Sequence, residues 1–357
     1  MARPRHPRDP IQVVGTSVAA FVGSLPAGPA AVPVLITSFE EFERTFGTAE
    51  GETADAAWLF FQNGGRHAYV AGLDEARPLR SLDAFSDTTF DLLVIPATAR
   101  LSEPQATSLA IRGALLAEKR NAFYVVDPPA GRTAATTVAR WAGSFGGGGS
   151  SAVVFPRLRA RFLSGERDVA AGGAVAGILA RTDTDRGVWV SSAGATVQGV
   201  LGPTVELDDA TVEQLALARV NPIRRVPSRG TVLWATRTRA DTDSEWQYVN
   251  VRRFASFLER SIEQGLQWVV FEPNGPPLWT QVRAQVRTFL QGVFRAGAFP
   301  ASKPDEAFIV RCDRTTMTQD DIDAGRLVIQ VGIAPIRPAE FVVFRIGMWT
   351  RTKDDDD

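Results

Sequence analysis

One serine and one histidine come nearest to hydrolytic chemistry in this sequence. A serine hydrolase places its nucleophile in a G-x-S-x-G turn, and the nearest match is AGSFG around Ser144, where Ala142 replaces the first glycine. The general base would have to be His67, because the only other histidine, His6, lies in a tail rich in proline and arginine. His67 in GGRHAYV is better explained as a residue at a strand edge. We therefore expect no catalytic residues and no enzyme activity.

Acidic and sulfur side chains do not form a metal-site pattern. Asp320, Asp321 and Asp323 in TQDDIDAG lack the glutamate and glycine of a calcium loop, and a helix dipole favours acids at its start. Cys312 is the only cysteine, so it can form no intramolecular disulfide, and its setting in AFIVRCD indicates a small core residue. The glycines of GGGGSS lack the lysine and the spacing of a phosphate-binding loop. The sequence predicts no cofactor and no metal.

The composition indicates a globular protein with balanced charge. The chain has 357 residues, 45% of them hydrophobic, which is enough for two domains of about 150 residues each. Its 39 basic and 40 acidic residues leave a net charge of -1, which gives no argument for binding nucleic acid or an acidic membrane. No stretch is long and apolar enough to span a bilayer, and the first residues lack the apolar segment of a secretion signal. We expect a soluble protein that folds in a reducing cytoplasm.

The elements that must position any site follow an alternating order. Ser38 and Glu41 have the spacing of a capping box at the start of a short helix that Gly47 can end. Across residues 90–158, strands alternate with helices, which predicts a parallel sheet with helices on its faces. In residues 172–243, glycine and proline interrupt a mixed pattern that predicts no clear element.

The last third of the chain combines helices with strands. An amphipathic helix through YVNVRRFASFLERSIEQG is followed by LQWVVFEPN, whose apolar run predicts a buried strand. Pro276 and Pro277 open a second helix with an apolar stripe, and Arg283 and Arg287 lie one turn apart on its polar face. These arginines either bind carboxylates of a partner or form a solvated face. AFIVRCD, RLVIQVGIAP and EFVVFRIGMW predict three antiparallel strands.

The last of these strands raises the question of what it pairs with. A strand needs a neighbour on each edge or a way to protect the open edge. Its alternate side chains Val342, Phe344 and Ile346 would fill one face of a sheet, and the acidic KDDDD follows shortly after. At the other end of the chain, the first ten residues carry prolines and arginines that favour an extended arm.

Several stretches together resemble the contractile tail sheath proteins of phages, phage-tail-like bacteriocins and extracellular contractile injection systems. The resemblance begins with GTSVAAFVG, GPAAVPVLITSFEEFERTFG and FFQNGGRHAYV, and continues with GGAVAGILARTDTDRGVWVSSAG and NPIRRVPSRGTVLWATRT. It is densest in WQYVNVRRFASFLERSIEQGLQWVVFEPNGPPLW and in GRLVIQVGIAPIRPAEFVVFRI. The chain departs from the family pattern at Met317, where asparagine is expected, and at SSAG, which replaces a proline-containing run.

The resemblance implies an α/β protein with a subtilisin-like, non-catalytic α/β domain, a C-terminal α+β domain, and extended N- and C-terminal arms. The implied boundaries are 1–14 for the N-terminal arm, 15–243 for the N-terminal and subtilisin-like domain, 244–340 for the C-terminal domain, and 341–357 for the C-terminal arm strand and acidic tail. The arms are expected to add strands to the C-terminal domains of neighbouring subunits. The arm residues expected to take part are Ile11, Val13, Val14, Val342, Phe344 and Ile346.

The implied function is mechanical. Such a subunit polymerises helically, in stacked hexameric rings, around an inner tube, and contracts to drive the tube through a target envelope. The implied partners are other copies of the chain, the inner tube protein, and the baseplate and tail-terminator proteins, without direct nucleic-acid contact or membrane insertion. Arg283 and Arg287 are candidates to face the tube.

The resemblance also implies where the protein works. Assembly is expected in the bacterial cytoplasm, and the sheath would belong to a phage tail or a released contractile particle. The alternative from another class is a soluble α/β hydrolase or ligand-binding protein. The shortage of histidines is the main objection to it.

Overall fold

The computed structural model describes residues 9–29, 32–47, 50–96, 101–336 and 342–350. The chain forms two compact units. The central unit is the continuous segment Gly15–Arg253, and the terminal unit combines residues 9–14 with the described residues from Phe254 onward. The domain boundaries 15–243 and 244–340 stay predictions.

An eight-stranded mixed sheet forms the centre of the central unit. Its strands are β1 Ala19–Gly23, β2 Val34–Ile36, β3 Ala68–Gly72, β4 Leu92–Val94, β5 Phe123–Val126, β6 Ser151–Phe155, β10 Val220–Val226 and β11 Gly230–Leu233. They lie in the order β11, β10, β6, β5, β4, β1, β3, β2, where β2 and β11 are antiparallel edge strands and all inner pairs are parallel. The predicted parallel sheet is therefore confirmed.

Helices cover both faces of this sheet. They are α1 Phe39–Phe46, α2 Glu52–Gln62, α3 Glu103–Lys119, α4 Ala135–Phe145, α5 Gly172–Arg186 and α6 Asp209–Leu217. Phe21 of β1 belongs to the core formed with α1, α2 and α5, whereas its neighbour Val22 belongs to the core formed with α3, α4 and α6. Successive side chains of a strand point to opposite faces, so a continuous apolar strand such as β1 serves two cores. A smaller sheet of β7 (Leu158–Phe162), β8 (Gly165–Val169) and β9 (Gly202–Pro203) completes the unit.

Helix α5 lies in the segment where the sequence pattern was mixed. Residues Gly172–Ala180 are buried, so the helix lacks the polar face that identifies a helix in a sequence. Two of its glycines allow α2 to approach closely. A β-carbon added to Gly173 would lie 2.1 Å from the carbonyl oxygen of Ala56, and one added to Gly177 would lie 2.4 Å from that of Phe60.

The predicted helix start at Ser38 is confirmed, with one difference in its hydrogen bonds. Ser38 Oγ accepts from the backbone N–H of Glu41 (3.2 Å). The carboxylate of Glu41 accepts from the N–H and hydroxyl of Thr37 (2.7 and 2.8 Å), one residue before the expected donor. Gly47 ends the helix with φ 87°, a conformation that glycine adopts without steric cost.

The terminal unit contains helices and a three-stranded antiparallel sheet. The helices are α7 Val249–Gly265, which starts before the division at Phe254, α8 Pro276–Arg295, α9 Pro304–Ala307 and α10 Gln319–Asp323. The strands are β12 Phe308–Arg311, β13 Arg326–Ile333 and β14 Val342–Trp349, in the order β12, β13, β14. The three predicted antiparallel strands are confirmed. So is the apolar stripe of α8, where Val282, Val286 and Leu290 are buried.

The buried strand predicted in LQWVVFEPN is wrong. Gln267–Phe271 is a 3-10 helix that buries Trp268 and Val269 and leaves Phe271 69% exposed. A short apolar run does not distinguish a strand from a helical turn. Here only a short connection separates Gly265, at the end of α7, from Pro276, at the start of α8, and a single tight turn spans part of it.

Candidate assembly site

The final strand β14 pairs with β13 of the same chain. The register runs without interruption from Arg326 opposite Trp349 to Ile333 opposite Val342. The side chains of Phe344 and Ile346 are buried, and they lie opposite the buried Val331 and Ile329 of β13. The alternation expected of Phe344 and Ile346 therefore fills one face of the chain's own sheet.

The other edge of β14 has no neighbouring strand among the described residues. The N–H of Thr350 donates to the carbonyl of Gly325 (2.6 Å), just beyond the last ladder pair. In an antiparallel ladder, hydrogen-bonded pairs alternate with pairs that are not hydrogen-bonded. The even-numbered residues of β14 therefore bond to β13. The N–H groups that point to the open edge are those of Val343, Arg345, Gly347 and Trp349.

Beta strand β12 gives an independent check of this alternation. On the other side of β13, the N–H of Ala334 donates to the carbonyl of Ala307 (2.8 Å). The backbone N–H and C=O groups of even-numbered residues of β13 thus point to β12, and those of odd-numbered residues point to β14. Both hydrogen bonds give the same phase for the sheet, so the open edge of β14 presents a regular row of donors and acceptors that pair with no strand of the described residues.

Exposed aromatic side chains occur on β14 and on a 3-10 helix that contacts it. The 3-10 helix Gln267–Phe271 contacts β14. Trp349 at the end of β14 is 66% exposed, and Phe271 is comparably exposed. An unpaired strand edge beside exposed aromatic side chains is a surface suited to an added strand.

The predicted N-terminal arm residues lie on the terminal unit of their own chain. Ile11 is buried against Gly265, the last residue of α7. The N–H of Val14 donates to Ser261 Oγ (3.2 Å), whereas the side chain of Val13 is exposed. Of the three expected contact residues, Ile11 is thus the one whose side chain is anchored in the structure.

The two arginines of the α8 polar face both have partners within the chain. Arg283 donates to the carbonyl of Cys312 (2.6 Å) and to Thr280 Oγ1 (3.2 Å). Arg287 forms an exposed ion pair with Asp305. Such a pair contributes only about 0–1 kcal/mol, so it can be exchanged for another partner at little cost. Contact of either arginine with a tube stays a prediction.

The residues considered for hydrolysis do not have the required geometry. Ser144 lies in the last turn of α4, and its hydroxyl donates to the carbonyl of Trp141 (2.8 Å). A nucleophile elbow instead requires a sharp turn from a strand to a helix. His67 is an exposed residue immediately before β3, and its carbonyl accepts from the N–H of Ala19 (3.0 Å).

Two acidic residues of TQDDIDAG, Asp320 and Asp321, lie in the first turn of α10, as expected, whereas Asp323 is the last residue of this helix. Thr318 Oγ1 and the carboxylate of Asp321 form a reciprocal capping box, and Asp321 also pairs with Arg326. Cys312 is buried, and this burial raises the pKa of its thiol to about 12. Within the described ranges, no group of three or more His, Cys, Asp or Glu side chains could hold a metal ion. No helix among the described residues is both long and apolar enough to cross a membrane.

A buried carboxylate at the carboxyl end of β5 was not identified from the sequence. Burial raises the pKa of Asp127 to about 6, although the N–H groups of Ala171 and Gly172 donate to its carboxyl group (2.9 Å each). Arg157 pairs with Glu52 nearby (2.5 Å). Asp127 therefore caps the start of α5, which is a structural task. The signal in the sequence is an acid directly after the apolar run FYVV.

A buried arginine holds the loop GGGGSS. Arg239 donates to the carbonyls of Ala142 (2.5 Å) and Gly146 (3.0 Å) at the end of α4, and to the carbonyls of Ala218 and Arg219 after α6. Burial lowers the pKa of Arg239 to about 10. Its guanidinium thus satisfies carbonyl groups that the two helix ends leave unpaired. The glycine-rich stretch serves helix-end packing.

Two family models match most of the chain. The model for the phage tail sheath protein central domain matches residues 71–239, and the model for the phage tail sheath C-terminal domain matches residues 241–348. The tail sheath protein of Enterobacteria phage T4 is 27% identical over 171 residues, which are 47% of this chain. That alignment spans only 25% of the length of the phage T4 protein.

Two solved structures are similar over nearly the whole chain. The helical sheath of the anti-feeding prophage in its contracted state is 30% identical, covers 96% of both chains and has a TM-score of 0.79. The sheath complex of the extracellular contractile injection system PVC, also contracted, is 25% identical. It covers 99% of this chain and 97% of that chain, with a TM-score of 0.79.

Proposed function

Because this chain belongs to the phage tail sheath protein family, we propose that it is a structural subunit of a contractile sheath. Many copies polymerise helically around an inner tube, and contraction of the sheath drives the tube through a target envelope. The similarity to a sheath over nearly the full length of both chains supports this reading.

The open edge of β14 is the observation in this structure that carries the proposal. Its backbone groups pair with no strand among the described residues, and β14 itself carries the exposed Trp349, so a strand from another subunit can add to the sheet. Residues of the N-terminal arm around Ile11 donate that strand to a neighbour. Alternatively, the C-terminal arm around Val342, which pairs with β13 of its own chain in this structure, is itself exchanged with a neighbour. Donation from one copy to the next is a heterologous contact, and repeated heterologous contacts build rings or open helices.

Contraction then occurs by rigid-body repacking of subunit surfaces between two arrangements, with the arms as tethers. The energy is stored in a kinetically trapped extended assembly, so no nucleotide is hydrolysed. The central unit has a subtilisin-like topology without catalytic residues, and the protein is not an enzyme. Ser144 and His67, in the geometry described above, support this reading.

The partners of such a subunit are other copies of itself in stacked hexameric rings, the inner tube, and the baseplate and tail-terminator proteins. It makes no direct contact with nucleic acid and inserts into no membrane. Assembly takes place in the bacterial cytoplasm, and the finished sheath is part of a phage tail or a released contractile particle.

Electron microscopy tests the proposed function. The protein is imaged after purification alone and after co-expression with the tube protein of the same gene cluster. We expect rings or tubes with a regular helical repeat. A featureless monomer under both conditions, combined with turnover of an ester or peptide substrate, would instead support the soluble hydrolase.

A further inference from the structure

A buried ion pair lies near the two chain ends of the central unit. Asp183 and Arg253 form a bidentate pair, with Oδ1 2.9 Å from Nη1 and Oδ2 2.6 Å from Nη2. Both side chains are only 5% exposed. Arg253 is the last residue of the central unit, and Asp183 lies in the last turn of α5.

Thr16 joins this pair from the other end of the unit. Its hydroxyl donates to Asp183 Oδ2 (2.6 Å), and its carbonyl accepts from Arg253 Nη2 (2.8 Å). Thr16 and Arg253 are 237 positions apart in the sequence, and each makes hydrogen bonds both to Asp183 and to the other. The three residues form a closed ring of charge-assisted hydrogen bonds, which are the stronger kind.

Local helix stability does not explain these charges. Asp183 lies near the C-terminus of α5 and Arg253 lies near the N-terminus of α7, and each helix dipole disfavours the charge found there. Desolvation also opposes burying both groups. Each charge is therefore held in place by the other and by Thr16.

The start of α7 has further anchors in the central unit. Asn250 Nδ2 donates to the carbonyl of Trp189 (2.9 Å), and the N–H of Val249 donates to the carbonyl of Thr236 (3.1 Å). The first residues of α7 are thus held by these two hydrogen bonds together with the ion pair. Near Thr16, the N–H of Val18 donates to Asp91 Oδ2 (2.8 Å), and residues 9–14 belong to the terminal unit.

We propose that Asp183 is a positioning residue that ties the two chain ends of the central unit to each other through Thr16 and Arg253. The chain leaves the central unit at residues 14/15 and 253/254. While the ring is closed, the carboxylate of Asp183 resists movement of the chain at both residue 15 and residue 253. Neither end of the central unit therefore loosens without the other. A role of this ring during contraction rests on the proposed function, whereas the ring itself is a property of the single subunit.

Hydrogen exchange of the full-length, unassembled subunit tests this role without requiring sheath assembly. Asp183→Asn keeps the shape of the side chain but leaves Arg253 buried without its countercharge. We expect exchange to accelerate by about tenfold or more at both residues 15–18 and residues 249–253, with β4 and β6 little changed. The control is Asp168→Asn, which removes an exposed pair with Arg159 and should change neither segment.

Substitutions of Thr16 provide a second test, which can be carried out even if the Asp183→Asn protein fails to fold. Thr16→Val removes the hydroxyl and should accelerate exchange at residues 15–18, while Thr16→Ser should restore it. In the Asp183→Asn background, Thr16→Val should add nothing, because the ring is already open. Three results would overturn the assignment: acceleration spread evenly over β4 and β6, acceleration at only one end in Asp183→Asn, or no difference between Thr16→Val and wild type. A protein that forms no sheath but shows the paired acceleration would refute the proposed function alone.

Discussion

Gly265 ends α7 so close to Ile11 that a β-carbon on the glycine would lie 2.6 Å from Ile11 Cγ1. The absence of a side chain at residue 265 is therefore what allows the N-terminal segment to pack on the terminal unit. Ile11 is the buried member of the predicted N-terminal arm residues, so this contact is one of the anchors of residues 9–14 in the single subunit.

Gly265→Ala should displace Ile11 and free residues 9–14. Overpacking of this kind costs about 1–3 kcal/mol. We expect faster proteolysis and hydrogen exchange at residues 9–14 and a lower urea midpoint. Gly292→Ala in α8 is the matched control, because a β-carbon there meets nothing within 4 Å. It should be neutral or stabilise the helix by up to about 1 kcal/mol. Equal effects of the two substitutions would show that the contact with Ile11 is not what matters.

Proline substitutions in β14 should distinguish the role of its open edge in assembly from the role of its β13 edge in subunit stability. Val343→Pro removes an N–H that points to the open edge and places the ring there, so the subunit should stay folded yet fail to build long sheaths. Met348→Pro removes an N–H bonded to β13, so it should destabilise the sheet of the single subunit. Deletion of Asp354–Asp357 should leave both properties intact. Circular dichroism and electron microscopy measure the two outcomes, and long sheaths from Val343→Pro would argue against strand addition at this edge.

Deletion of residues 1–12 should break links between subunits while sparing the core fold. The segment contains Ile11, whose burial is its main described anchor. Sedimentation of the assembled material and thermal unfolding of the subunit report the two effects separately. Regular sheaths from the deleted protein would mean that the N-terminal arm does not hold the assembly together.

Charge reversal of Arg283 and Arg287 should weaken association with the tube at low salt. The exposed pair of Arg287 with Asp305 is exchangeable, whereas Arg283 is half-buried and donates to the Cys312 carbonyl. The swap Arg287→Glu with Asp305→Arg restores the pair within the chain and serves as the control. If the swap alone recovers co-sedimentation with tubes, the arginine acts within the subunit and does not contact the tube.

Asp127 should make stability depend on pH in a specific direction. Its pKa is about 6 in the folded protein against 3.8 for the free side chain, so the folded state binds more protons between these values. Its contribution to stability is fully present below the lower value and is lost as the pH rises through about 6. Relative to Asp127→Asn, wild type should lose about 2–3 kcal/mol of unfolding free energy between about pH 4 and pH 7.5. Urea unfolding at several pH values checks this, and parallel pH profiles for the two proteins would contradict it.

The local signals of the sequence were sufficient for several elements. Ser38 and Gly47 bound a short helix because capping depends on residues within one turn. The apolar stripe of α8 and the three C-terminal strands were predictable because their faces are buried on one side only. The open edge of β14 could not be assigned from the sequence, since a strand pattern does not specify its neighbours.

The sequence by itself determined the element types that local chemistry sets, the α/β order of the central unit, and the resemblance to tail sheaths. Tertiary structure decided what depends on residues distant in sequence. It buried residues Gly172–Ala180 of α5 on all sides, made Gln267–Phe271 a 3-10 helix, paired β14 with β13, and brought Thr16, Asp183 and Arg253 together. The physical reason is that periodicity and capping act over a few residues, whereas burial on all sides and buried charge pairs exist only after distant segments have packed.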